Sequence, residues 1–231
     1  MHQTIKDFQL KTIYLIAGLV VLITALPVFA YDNSLALSYL KHPLIQKECS
    51  DELQQLKEAD QTEREGWEQF SEADWQALSD NDLIRRKRVG ELLGEGCFQS
   101  PQDYLAASLI FQHGTMPDHY YQAFIWANRA VELGDEKAKH LVALTIDRYL
   151  VSRGRKQLFG SQVFAKEIGG CFCMQPVEET VTDALRQDYF CPTIQEQYQW
   201  LASLNEGKDC PSSECETALK PTPIGSIPGF W

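Results

Sequence analysis

Positive charge is what this chain has least of. Its 231 residues carry 21 lysines and arginines against 32 aspartates and glutamates, a formal net charge of -11. Nucleic-acid binding rests on basic side chains meeting phosphates, so this balance excludes a nucleic-acid partner. Long apolar runs are scarce after residue 30, which excludes a polytopic membrane protein. Continuous β-branched runs are nearly absent there too, so strands do not dominate. The chain has no Cys-x-x-Cys, no Gly-x-Ser-x-Gly, no His-Glu-x-x-His and no phosphate-binding loop. Dithiol redox chemistry and the common hydrolase, zinc-peptidase and NTPase motifs therefore find no support. What is present is a folding composition, 44% hydrophobic and 23% charged. At about 150 residues per domain, the length fits one domain with an appendage.

The first thirty residues have the order of a secretory signal. Lys6 and Lys11 supply the charge, Thr12 to Ala30 is uncharged, Pro27 breaks the run, and Val28-Phe29-Ala30 offers a cleavage site. An uncleaved anchor over 12–30 is the alternative, and membrane contact is expected only through that segment. The expected location is periplasmic or secreted, or the inner membrane if the anchor stays.

All seven cysteines follow Ala30: Cys49, Cys97, Cys171, Cys173, Cys191, Cys210 and Cys215. In an oxidising compartment all seven are disulfide candidates, with one left over. Cys49 can pair with Cys97, Cys210 with Cys215 across a short loop, and Cys171 or Cys173 with Cys191. A metal site is not expected, because Cys171-x-Cys173 lacks a second close pair with a histidine. No cofactor is expected.

The mature chain reads as all-α, in antiparallel helical hairpins, with an irregular disulfide-containing C-terminal region. Helix starts are expected at Ser71-Glu72-Ala73-Asp74, Ser79-Asp80-Asn81-Asp82 and Ser100-Pro101-Gln102-Asp103, where a serine caps early N–H groups. Further helices are expected over about 118–133, 136–152 and 194–204, with glycines ending the first two. The resulting units are a signal or anchor (1–30), a helical domain (31–168) and a cysteine-rich, proline-containing appendage (169–231). The tail from Pro211 is expected to be extended and disulfide-tied.

Small residues recur through Ala107, Gly114, Ala123, Ala130, Gly134 and Ala138, between large ones such as Trp126 and Leu141. This grammar resembles tetratricopeptide repeats of the Sel-like branch over roughly one and a half units. A sharper pattern spans 80–162: Asp82-x-x-Arg85-x-x-Arg88, Ala106-Ala107-x-x-Ile110-Phe111-Gln112-His113-Gly114, Asp147-Arg148-Tyr149-Leu150, and Gln157-x-Phe159-Gly160-x-Gln162. It resembles a bacterial domain family with no assigned function. Ser161 stands where that family usually has threonine. The resemblance implies a helical domain and no reaction.

Gln112, His113, Asp147, Arg148, Gln157 and Gln162 interrupt or end apolar helices. One reading is a polar pocket: His113 as general acid or base, Asp147 orienting it, Arg148 on an anion, and Gln112, Gln157 and Gln162 as ligand-binding candidates. The other is a structural network in which Asp147 and Arg148 satisfy the irregular backbone at 154–162 and His113 caps a helix. Arg85-Arg86-Lys87-Arg88 is expected on one solvated helix face. Trp67, Phe70, Trp75, Tyr120, Tyr121 and Trp126 are expected in a core or a ligand groove. His119 and His140 are expected at the surface. The leading expectation for function is an envelope module that binds a protein or peptide. The alternatives are an envelope hydrolase or glycan-processing enzyme built on His113, Asp147 and Arg148, and a secreted effector.

Overall fold

The computed structural model describes residues 43–222 and Ile227. The expected signal or anchor at 12–30 and the end of the proline-rich tail lie outside the described residues. Those residues form a mostly helical fold with one two-stranded sheet.

Helix α1 (Pro43–Thr62) sets Cys49, Leu53, Leu56 and Asp60 at steps of three and four, along one stripe of the helix. Helix α2 (Glu72–Gly94) starts at Ser71, whose Oγ accepts the Asp74 N–H at 3.3 Å while Asp74 accepts the Ser71 N–H at 2.9 Å. This reciprocal cap satisfies two donors that a helix start leaves open. The start expected at Ser79 is not used. Helix α2 runs through it because Leu78, Asp82, Arg85, Arg86, Val89 and Leu92 are all buried at helical spacing. Helix α3 (Pro101–Phe111) begins on a second capping box, Ser100 with Asp103. Asp103 also accepts the Ser50 hydroxyl at 2.6 Å, which ties α3 to α1.

Helices α4 (Pro117–Glu132) and α5 (Lys139–Ser152) follow, the second entered through a 3-10 turn at Glu136–Ala138. Successive members of α3, α4 and α5 pack on one another. Ala106, Ala107, Ala123, Ala127, Ala130 and Ala143 have no exposed surface, so these helices approach closely where side chains are small. Ser108 adds a hydrogen bond to the Ala123 carbonyl at 2.7 Å.

Beyond α5 the chain wraps the same core. Leu158, Phe159, Val181 and Cys191 pack with Phe124, Ile146 and Leu150. Strands β1 (Val163–Ala165) and β2 (Phe172–Met174) pair antiparallel with Phe164 opposite Cys173. These strands, and the short helix α6 (Asp183–Asp188), were not expected from the sequence. Helix α7 (Ile194–Leu204) has the expected bounds, on a Thr193–Glu196 capping box.

The disulfides are Cys49–Cys97, Cys171–Cys210 and Cys173–Cys215. The short Cys210–Cys215 loop does not form. Residues 213–215 run beside β2, with the Met174 N–H on the Ser213 carbonyl at 2.8 Å and the Cys215 N–H on the Met174 carbonyl at 2.9 Å. That pairing carries Cys215 to Cys173 and leaves Cys210 for Cys171. Cys191 is neither partner of Cys171 nor of Cys173; it is a free, buried thiol. No helix among the described residues is long and apolar enough to cross a membrane.

Candidate functional site

Asp147 sits on α5, fully buried, under the loop 158–161. It accepts the N–H groups of Leu158 (2.7 Å), Phe159 (3.0 Å) and Ser161 (3.0 Å), and the Ser161 hydroxyl at 2.9 Å. Burial pushes its pKa up against those four donors. Gly160 lets the loop close: its φ is 83°, and a Cβ there would lie 3.0 Å from Ile194. Asp147 therefore holds the loop and does not orient His113, as the sequence-based pocket supposed.

The partner of His113 is Asp60. The His113 Nδ1 lies 3.0 Å from Asp60 Oδ2, and Asp60 is fully buried at the end of the α1 stripe. Burial raises the Asp60 pKa, but His113 and Arg64 together hold it below the usual carboxylate value. Burial lowers the His113 pKa and outweighs the upward pull of Asp60, with smaller downward contributions from Arg64 and Arg148. The arrangement is thus a neutral imidazole donating from Nδ1 to an ionised carboxylate, which can only accept. Its Nε2 makes no hydrogen bond within the described residues and is not sealed from solvent.

Around this pair the ions interlock. Arg64 reaches Asp60 at 3.0 Å and Asp82 at 2.6 Å, while Arg85 reaches Asp82 and Glu63, each at 2.7 Å. The end of α3 is capped by cations, as its negative dipole end favours. Arg148 Nη1 donates to the Gln112 carbonyl, and Arg86 Nη1 donates to the His113 carbonyl at 2.9 Å. Tyr120 donates its hydroxyl to the Gly114 carbonyl at 2.8 Å. Burial lowers the Arg148 pKa, with Arg64 adding to it.

The solvated basic face expected at 85–88 is therefore not present. Arg85 and Arg86 are buried, and Arg88 is held by Glu52, Glu91 and Glu95. The reason is the ring of carboxylates that α1 brings against α2. Asp60, Glu63 and Arg64 were missed by the sequence reading. The signal was there: a carboxylate at the end of the Cys49, Leu53, Leu56 stripe, with an arginine one turn on.

Of the glutamine candidates, Gln157 is buried and saturated. Its Nε2 reaches the Gln175 carbonyl at 2.7 Å and the Gln162 carbonyl at 3.0 Å, and its Oε1 accepts the Gln162 N–H at 2.7 Å. Gln162 accepts Arg148 Nε at 3.1 Å and donates to Ser161 at 3.0 Å. Gln112 is buried and contributes its carbonyl. Gln157 and Gln162 serve the loop and the arginine, and Gln112 serves Arg148 through its backbone carbonyl. His119 is half-buried and His140 exposed, with its Nδ1 3.8 Å from the Cys191 sulfur. Burial pushes the Cys191 thiol up to about 12, the behaviour of an inert structural cysteine. Cys49, Cys97 and Glu95 come within metal-ligand distance of one another, but the two sulfurs are bonded together and offer no thiolate.

His113, Arg148, Arg64, Asp82 and Ser79 line a pocket of about 400 Å³ walled by Trp67, Trp75 and Leu78. Trp67 and Trp75 also line a second hollow of about 700 Å³, with Phe70 beside them and Ile168, Phe172, Leu204 and Lys208 among the other residues. Trp67 meets Phe172 edge-on at 5.7 Å, and Phe70 meets Trp75 edge-on at 5.3 Å. The other aromatic candidates lie elsewhere: Trp126 is in the core, and Tyr121 packs on Phe124 and Tyr149. Ser79 makes no hydrogen bond to His113, so no activated hydroxyl nucleophile is assembled among the described residues.

No family model matches the chain, and no curated protein and no solved structure matches it.

Proposed function

We propose that the protein is an exported, non-enzymatic helical module of the cell envelope that binds a peptide or an extended protein segment. The aromatic hollow at Trp67, Trp75 and Phe172 carries this reading. It is concave and apolar, and it is joined through two tryptophans to a pocket with a few fixed polar groups, the usual make-up of a binding site. An envelope location is supported by three disulfides, which persist in oxidising compartments, and by the signal-like order of residues 1–30. The close α3–α4 packing through alanines is consistent with a Sel-like hairpin, and the 80–162 pattern with the bacterial domain family it resembles.

The test is tryptophan fluorescence during titration with short peptides, on the native protein and on Trp75→Ala. Trp75 is 39% exposed and lies outside both core clusters, and thermal melting checks that the variant is folded. Truncating a tryptophan anchor weakens binding by roughly tenfold or more. Peptides that leave the fluorescence unchanged at millimolar concentration, or equal affinity for the variant, would refute the binding role.

A second reading, a hydrolase, is favoured by one observation: His113 lines the pocket and is held by a buried carboxylate through Nδ1, with no hydrogen bond to its Nε2 among the described residues. That is the geometry of a general base. Its carboxylate is Asp60, not Asp147. On this reading His113→Gln abolishes turnover of a bound ligand while leaving its affinity unchanged. A ligand recovered unaltered from the native protein after long incubation would exclude it.

A further inference from the structure

Four arginines gather where α1, α2, α3 and α5 meet: Arg64, Arg85, Arg86 and Arg148. Among the described residues, three carboxylates form ion pairs with these arginines, those of Asp60, Glu63 and Asp82. Arg64 and Arg85 share all three. Arg86 is turned to the end of α3 and does not line the pocket. Arg148 makes no ion pair among the described residues. Its Nε and Nη1 are engaged by Gln162 and the Gln112 carbonyl, and its Nη2 makes no hydrogen bond and is not sealed from solvent.

A guanidinium stays charged in proteins and is geometrically suited to a carboxylate. Here it is fixed from two sides, so little side-chain freedom remains to be lost when an anion arrives. It opens into a pocket whose tryptophan walls shed water and strengthen a charge-assisted contact. The Ser79 hydroxyl and Arg64 line the same space and can donate as well. Arg148 is the pocket-lining arginine without a carboxylate partner among the described residues, so a single carboxylate would pair it. A dianion would overshoot and would face Asp82, which also lines the pocket.

From this placement we infer that Arg148 is the anchor of a carboxylate-binding subsite, taking one carboxylate of a peptide ligand whose remainder lies along Trp67 and Trp75. This rests on the reading that the aromatic hollow receives a peptide. The carboxylate is either the C-terminus or an acidic side chain; both present the same planar anion.

The experiment uses random N-acetylated hexapeptides in two pools, one ending in a free carboxylate and one in a carboxamide, passed over the immobilised full protein. Retention of free acids roughly 10- to 100-fold above amides places the C-terminus at Arg148. Enrichment of Asp or Glu within the amide pool places an acidic side chain there. Both support the subsite. Equal retention of the pools with no acidic enrichment overturns it and leaves the binding function standing. Retention of neither pool removes both readings together. Arg148→Gln is expected to erase the preference between pools while retaining the amide peptides. Because Arg148 also caps α3, its folding is checked by thermal melting. Should that variant fail to fold, the comparison of pools on the native protein decides alone. Trp75→Ala lowers retention of both pools by the same factor, and a selective loss of free acids in that variant would count against the assignment.

Discussion

Replacing Asp147 by asparagine exchanges one oxygen for an amino group, yet it strikes at the hinge between the helices and the loop that follows them. In the native protein Oδ1 accepts from Leu158 and Phe159, and Oδ2 accepts from Phe159 and from the N–H and hydroxyl of Ser161. The best compromise for asparagine keeps its carbonyl at Oδ1 and aims its amino group at Ser161. The Ser161 hydroxyl can turn to accept, but the Ser161 N–H is then left facing another donor. An orphaned buried donor costs about 1–3 kcal/mol. The two retained bonds fall from charge-assisted to neutral strength, a loss of about 1 kcal/mol each. Burying a neutral amide instead of a carboxylate returns part of this. The expected net loss is about 2–4 kcal/mol for Asp147→Asn, read by urea unfolding with the disulfides intact. Asp147→Ala orphans three backbone N–H groups and costs more, about 5 kcal/mol. A loss under about 1 kcal/mol in both variants would refute the structural role assigned to this carboxylate. So would a stable Asp147→Asn protein that has lost ligand binding.

Acid should weaken the fold in two stages. The pKa values of His113 and the half-buried His119 are lowered, chiefly by burial, so the folded protein holds them neutral while the unfolded chain takes up protons near the ordinary 6.5. Stability is therefore flat above that pH and falls as pH drops below it, and His113→Gln removes part of this first step. The lowered carboxylates Asp60, Glu52 and Glu196 add stability above their ordinary values that is lost as pH falls through their folded ones; chemical denaturation across pH 3–8 reads both stages. Joint replacement of Cys49 and Cys97 by alanine opens a loop of sequence separation 48 and is expected to cost up to about 4 kcal/mol by denaturant midpoint. Ser71→Ala removes the α2 cap and costs about 1 kcal/mol, with no change in peptide binding.

Legibility followed the range of the interaction involved. The starts at Ser71 and Ser100 use hydrogen bonds spanning three residues, and the bounds of α7 agree with the sequence reading. The Ser79 start has the same local chemistry and fails. Leu78 and Asp82 are buried on one continuous face, and that packing outweighs a cap. The strand pair is three residues long on each side and is held by bonds to residues 213–215, so its own sequence carries little strand signal. For the site, His113 and Arg148 were singled out because they interrupt apolar periodicity. Asp60 was not, since its partner lies 53 positions away.

The sequence alone determined the acidic balance, the helical class, the local caps and the presence of polar residues that a plain core would not hold. Which cysteines join, that His113 answers to Asp60, that Asp147 is consumed by the 158–161 loop, and that Arg148 forms no ion pair among the described residues were decided by tertiary structure. Those facts depend on burial and on neighbours from distant segments. Coulomb and hydrogen-bond energies act over a few ångströms in space, irrespective of separation along the chain.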